Sequence, residues 1–194
     1  DGRVIDINAV GRKLLVNGII APTRGPKSAK EYKKLFKIGE GSSPLLTYGI
    51  NLTEKVKKMS HNQFDTYLAM RYGNPSMEKV LGEMRLKNYD QIIIFPLYPQ
   101  YASATTGSIS EKAFKIISKW WVIPEIKIMG QFYDDYRYLE CVKSRTLEFD
   151  LQSYDQILFS YHGIPERHVD KVYLDGKPCK DHDCDTEIND SNKH

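Results

Sequence analysis

The chain has 194 residues, enough for a sizeable hydrophobic core, and its composition (41% hydrophobic, 27% charged) is that of a soluble globular protein. A formal charge of +3 argues against a nucleic-acid partner, and Lys27, Lys30, Lys33, Lys34 and Lys37, clustered at helical spacing, read as one solvated face. Three cysteines in no regular framework argue against a secreted disulfide scaffold and make the cytoplasm the default, while no apolar run reaches the roughly 18 residues of a membrane span, so any membrane contact would be peripheral.

The elements follow in chain order. Residues 3–7 read as a strand, and residues 9–20 as a helix with an apolar stripe at Val10, Leu14, Leu15 and Ile19, ended by Pro22. A second, basic helix spans 28–36 and stops near Gly39. The turn cluster 39–44 leads into a third helix that starts at Pro44 and carries Leu45, Leu46, Ile50, Leu52 and Val56. Beyond residue 65 strands alternate with helices: strand 66–70, helix 77–87, buried strand 91–95, helix 111–119, strand 126–129, helix 134–147 and strand 156–160. Such alternation predicts an α/β fold with a parallel sheet flanked by helices. A boundary falls near 149–154, where one α/β unit ends and the next begins.

Candidate chemistry sits at strand ends. In an open α/β sheet ligands bind beyond the carboxyl ends of the strands. The strand 156–160 runs into His162, followed by Gly163, which permits a sharp turn, and Pro165, which stiffens it. An imidazole there can accept a proton or bind a metal near neutral pH, or it can be a structural histidine at a strand end. Arg71 and Tyr72 follow the strand 66–70, and a loop with Tyr98, Gln100, Tyr101, Ser103, Thr105 and Thr106 follows the strand 91–95 and precedes a helix. Its hydroxyls either meet an anionic ligand at the helix start or only cap the helix. Cys179, His182 and Cys184 lie close together among aspartates. Their spacing matches neither a standard zinc pattern nor a four-cysteine cluster set, and Cys141 is distant in sequence.

Three of these segments carry a family resemblance. Ser160-Tyr161-His162-Gly163-Ile164-Pro165 resembles the histidine signature of the ferrochelatases, which insert ferrous iron into protoporphyrin to make haem. Met70-Arg71-Tyr72-Gly73-Asn74-Pro75 and Pro96-Leu97-Tyr98-Pro99-Gln100-Tyr101-Ala102-Ser103-Ala104-Thr105-Thr106-Gly107-Ser108 match the same family in the same order. Ser42-Ser43-Pro44-Leu45 resembles its glycine-serine-proline turn more weakly, and Pro22 and Arg24, in a family-like stretch, read as a surface loop. The resemblance runs from Arg3 to about Arg167.

The resemblance implies two Rossmann-like lobes with a porphyrin cleft between them. The first would span residues 1–152, without its first strand and helix, and the second, incomplete, 153–194. Both ends therefore read as cut. The implied reaction joins Fe²⁺ and protoporphyrin IX into protohaem in haem biosynthesis, with iron as substrate and no cofactor required. His162 is implied as proton acceptor or metal ligand. Arg71 and Tyr72 would line the porphyrin face opposite it, the arginine pairing with a propionate or positioning a phenol, and Tyr98, Gln100, Tyr101, Ser103, Thr105 and Thr106 would bind the ring and its carboxylates. The family's catalytic glutamate would lie beyond His194; none of Glu166, Asp183 and Glu187 sits in a matching motif. A homodimer and a peripheral membrane contact stay open. So do a chelatase for coproporphyrin or another tetrapyrrole and metal, and a non-catalytic tetrapyrrole binder.

Overall fold

The structure is a computed structural model that describes residues 1–38, 41, 43–61 and 63–182. Residues 3–7, expected as a strand, form turns: the Ile5 N–H donates to the Asp1 carbonyl and the Ile7 N–H to the Ile5 carbonyl, each at 3.0 Å. Asn8 then caps α1 (Ala9–Leu14), its Oδ1 accepting the Gly11 N–H at 2.8 Å. The helix continues through a π-helical stretch, Leu15–Ile20, into α2 (Ala21–Ile38), so Pro22 does not separate two helices as expected, and Pro22 and Arg24 lie in a helix and not a loop. The π turn is the physical reason. The Ala21 N–H reaches back to the Val16 carbonyl, and where the ladder changes register a carbonyl loses its donor in any case. Pro22, with no N–H to give, falls directly after that point, where the ladder is already interrupted.

The helix expected after Pro44 is α3 (Pro44–Met59), with the proline in its first turn. It lies against residues 66–68. A Cβ on Gly49 would come 3.0 Å from Leu68 Cδ1, and the Thr66 hydroxyl donates to the Thr53 carbonyl at 3.4 Å. Residues 66–70 are not the expected strand; among the described residues their one pairing is an isolated parallel bridge between Met70 and Ser76. Ser76 caps α4 (Met77–Leu86), its Oγ accepting the Lys79 N–H at 3.3 Å.

Two strands pair in parallel, β1 (Gln91–Ile94) and β2 (Glu125–Ile128). Their register is set by Glu125 N–H to Asp90 carbonyl at 3.0 Å and Met129 N–H to Ile94 carbonyl at 2.9 Å. A parallel pair needs a crossover, and residues 95–124 supply it through a π turn, Ser103–Gly107, that opens α5 (Ser108–Ile117). After β2, Asp135 caps α6 (Tyr136–Thr146) by accepting the Arg137 N–H at 2.9 Å, and a 3₁₀ turn covers Leu151–Ser153. Residues 156–160, expected as a buried strand, are irregular and exposed. Among the described residues no strand lies beside them, and without a ladder partner an apolar run does not become a strand. A short helix, α7 (Glu166–Asp170), and a 3₁₀ turn, Cys179–Asp181, complete the described chain.

The fold is therefore α/β, with one small parallel sheet among the described residues. The chain divides into two units. The first comprises Asp1–Ile92 with Glu111–Ile126; the second comprises Ile93–Ser110 with the chain from Lys127 onward. The first unit buries Met77, Val80 and Leu81 of α4, Ile92 of β1, Ala113 and Ile117 of α5, and Trp120. A Lys112–Glu78 ion pair of 2.8 Å ties α5 to α4. In the second unit Phe95 stacks obliquely on Phe132 (5.3 Å between centroids), and Phe132 meets Tyr138 edge-on at 5.5 Å.

This burial separates two neighbouring positions. Ile117→Ala, at a side chain that is 2% exposed, is expected to lower stability by about 2–5 kcal/mol. Trp121→Ala, at a residue that is 95% exposed, stays within about 0.5 kcal/mol. Urea unfolding midpoints check both, and equal losses would contradict this core.

Candidate functional site

Arg71 and Tyr72 sit in the bend after Met70, a loop closed by the Met70 N–H to the Pro75 carbonyl at 2.7 Å, with Gly73 at a φ of +88°. That left-handed backbone suits glycine. The Arg71 guanidinium carbon lies 4.6 Å from the Tyr72 ring centroid, a cation–π distance. Both side chains also meet one carboxylate: Arg71 Nη2 pairs with Asp1 Oδ2, and the Tyr72 hydroxyl donates to the same oxygen at 2.8 Å. Arg71 and Asp1 are largely covered, their side chains 19% and 7% exposed, whereas Tyr72 is 59% exposed. The arrangement thus covers the charged pair and leaves the aromatic face open.

Asp1 is itself held. Its Oδ1 accepts the Arg3 N–H at 2.9 Å, and Arg3 Nε donates to Glu111 Oε2 of α5 at 2.6 Å. Arg12 Nη1 donates to the Ile7 carbonyl at 3.0 Å, fastening the same N-terminal turn to α1. Lys115 and then Arg3 hold the Glu111 carboxyl down to about 2 from an ordinary 4.5. The signal that would reveal Asp1 in sequence is absent, because its partners lie 70 and 71 positions away.

In the second unit the loop after β1 is built in two halves. Tyr98, Gln100 and Tyr101 are exposed, while Ser103 and Thr105 are half-buried and Thr106 is 3% exposed. The Phe132 N–H donates to the Pro99 carbonyl at 2.8 Å and fixes the exposed half. In the buried half the Thr105 hydroxyl donates to the Ala102 carbonyl at 3.2 Å, the Ser110 hydroxyl to the Thr106 carbonyl at 2.8 Å, and among the described residues Thr106 Oγ1 has no hydrogen-bond partner. Among the described residues no side chain caps this turn, since the Thr105 and Ser110 hydroxyls donate to carbonyls, and Tyr98, Gln100 and Tyr101 are the candidate residues that the loop presents to solvent.

His162 lies in the irregular stretch before α7, exposed together with Phe159, Tyr161 and Ile164. Ser43 precedes α3 and Ser42 lies outside the described residues. Cys179 uses its N–H on Asp170 Oδ1 at 2.7 Å, and His182 stacks on Tyr173 (3.8 Å, 4° between planes) with Nε2 3.4 Å from Asp175. Cys184 lies outside the described residues, and among those described no group of three or more His, Cys, Asp or Glu side chains could hold a metal.

A second polar cluster escaped the sequence reading. The Tyr67 and Tyr89 hydroxyls are 2.7 Å apart, Tyr89 donates to Asp65, and the Lys87 ammonium sits 5.4 Å from the Tyr67 ring. The Tyr89 hydrogen bond pulls the Asp65 carboxyl down, while burial and then Asp65 push the Tyr89 phenol up. It ties residue 65 to the end of α4. Two surface grooves, of about 580 Å³ beside α6 and about 680 Å³ around 84–92 and 120–125, contain none of the candidate residues. Residue chemistry and motif order, not concavity, mark the candidates.

The family model described as ferrochelatase matches residues 1–178, a span that holds all three motifs. The chain belongs to the ferrochelatase family. The ferrochelatase of Legionella pneumophila (strain Corby) is 40% identical over 175 residues, covering 90% of this chain and 51% of that protein. The ferrochelatase of Francisella tularensis subsp. novicida (strain U112) is 38% identical over 174 residues, covering 88% and 52%. The chain spans about half the length of these curated relatives. Among the described residues no helix is long and apolar enough to cross a membrane.

The Glu111 anchor carries a pH signature. Its folded-state carboxyl is depressed, so its stabilisation is complete above the ordinary 4.5 and is lost as pH falls toward 2. The gap in unfolding midpoint between the wild type and Glu111→Gln is expected to be constant near neutrality and to close over that acid window. A gap independent of pH would contradict the role given to the charge.

Proposed function

We propose that this ferrochelatase-family chain inserts Fe²⁺ into protoporphyrin IX, yielding protohaem and two protons. The observation that carries the reading is the family match over residues 1–178, with Arg71, Tyr72, the tyrosine loop and His162 in its motifs. Iron is substrate, and no redox cofactor enters, since the metal stays Fe²⁺, the porphyrin gives up two pyrrole protons and the cation gives up its water.

The reaction sets three demands: a bent macrocycle whose lone pairs are exposed, a base for two protons, and a hydrated cation stripped of its water. In this reading the exposed rings of Tyr72, Tyr98 and Tyr101 supply flat surfaces for the porphyrin, with Gln100 a polar contact at its edge. His162, exposed ahead of α7, accepts one pyrrole proton at a time on its single free ring nitrogen and passes each to water; ligation of the incoming iron by that same nitrogen is the alternative role. Ser103 and Thr105, at the start of the helix, are the candidate partners of the propionates. Thr106, buried, supports that turn from within. The two-lobed chelatase architecture, with the second lobe incomplete in this chain, and a cytoplasmic location belong to the same reading.

The test is an anaerobic insertion assay with protoporphyrin IX and Fe²⁺ or Zn²⁺, followed by the visible bands. The wild-type chain is expected to convert porphyrin, and His162→Ala to be slower by about a hundredfold or more. Insertion at an unchanged rate in the variant would overturn the role of His162. A folded chain that binds protoporphyrin and never inserts metal would overturn the reaction in favour of binding alone.

A further inference from the structure

Asp1 lies in none of the three motifs, yet its carboxylate is where two motif side chains converge. One oxygen, Oδ1, is committed to the backbone of its own turn through the Arg3 N–H at 2.9 Å. The other, Oδ2, takes both Arg71 Nη2 and the Tyr72 hydroxyl. The side chain is 7% exposed, so the charge is withdrawn from water and its partners are protein groups. A carboxylate so covered holds an arginine by charge and direction at once. We propose that Asp1 is a positioning residue for this site: it clamps the Arg71 guanidinium over the Tyr72 ring and fixes the ring's exposed face in the attitude that receives a flat macrocycle.

The geometry separates this from a plain tie between two segments. A tie would need only Arg71. Here the same oxygen also fixes the Tyr72 phenol end, while Arg71 stacks on that ring 4.6 Å from its centroid, so the aromatic plane is constrained from its hydroxyl and from its face. Guanidinium and hydroxyl are both donors here, and a carboxylate oxygen accepts from the two while also answering the guanidinium's charge. The clamp also has a backing. Arg3, in the same turn, is bound to Glu111 of α5 at 2.6 Å, so the carboxylate is presented from a braced segment. Asp1 touches no substrate in this account and acts through Tyr72 and Arg71 alone.

The proposal rests on reading Tyr72 as a porphyrin-facing residue, and the experiment keeps the two claims apart. Protoporphyrin affinity, by fluorescence titration, and urea midpoints are measured on the whole chain for Asp1→Asn, Arg71→Ala, Tyr72→Phe and the double variant Asp1→Asn with Arg71→Ala. Asp1→Asn keeps the shape and the Oδ1 contact and removes the charge. It is expected to weaken porphyrin binding about 10- to 100-fold, the range typical of lost supporting contacts, and the double variant to be no weaker than Arg71→Ala. A clamp lowers the urea midpoint in either reading, so binding decides: losses of affinity that simply add in the double variant would overturn the proposal. Wild-type affinity in Asp1→Asn beside impaired Arg71→Ala and Tyr72→Phe would overturn it as well, with the functional reading intact. Unchanged affinity in all the variants would overturn the functional reading of the pair, and the proposal with it.

Discussion

The parallel pairing of β1 with β2 is the constraint from which the rest of the architecture follows. Parallel strands cannot be joined by a hairpin, so the chain must leave β1, cross, and return. The crossover at 95–124 delivers the Tyr98 loop directly after the end of β1 and then α5. That helix contributes Ala113 and Ile117 to the core of the first unit and holds Glu111, the anchor of Arg3. One topological requirement thus accounts both for the loop that presents two tyrosines and for the helix that braces the N-terminal turn.

Charge does its work locally and in pairs. Along the exposed helices the Lys34–Glu31 and Lys143–Glu140 pairs are solvated and worth little. The Asp1 and Glu111 pairs differ in what they connect, since each joins residues far apart in sequence and sets the position of a segment. A loop with little hydrophobic support, such as 71–75, needs a directional polar contact to hold its shape. The covered carboxylate beside it provides one. Apolar side chains without partners tell the converse story. Ile157, Leu158 and Phe159 have the composition of a strand, but a strand is a property of a pair.

What was legible in the sequence divides along that line. α3, α4, α5 and α6 were readable because a helix satisfies its own backbone and announces its ends, with Pro44 in a first turn and Ser76 and Asp135 as caps. β1 and β2 were readable as apolar runs between turns, and their parallel sense from the helix between them. Residues 3–7, 66–70 and 156–160 were misread as strands, since local composition does not reveal whether a neighbour lies alongside. Pro22 misled for a different reason: a π turn upstream had already rearranged the hydrogen bonds that proline breaks. Arg71, Tyr72, the tyrosine loop and His162 came from contiguous motifs. Asp1 and the Asp65–Tyr89 cluster did not, because their meaning lies in distant partners.

The proposed function requires that the residues of the three motifs receive a porphyrin. Backbone NMR of the labelled chain titrated with metal-free protoporphyrin reads this directly, because the macrocycle's ring current displaces most strongly the resonances of groups near the ring, upfield over its faces and downfield at its edge. The largest displacements are expected at Tyr72, Tyr98, Tyr101 and His162, with α1, α3 and the exposed residues 121–123 unmoved. Displacements centred on the grooves beside α6 or around Trp121, or none at saturating porphyrin, would contradict it.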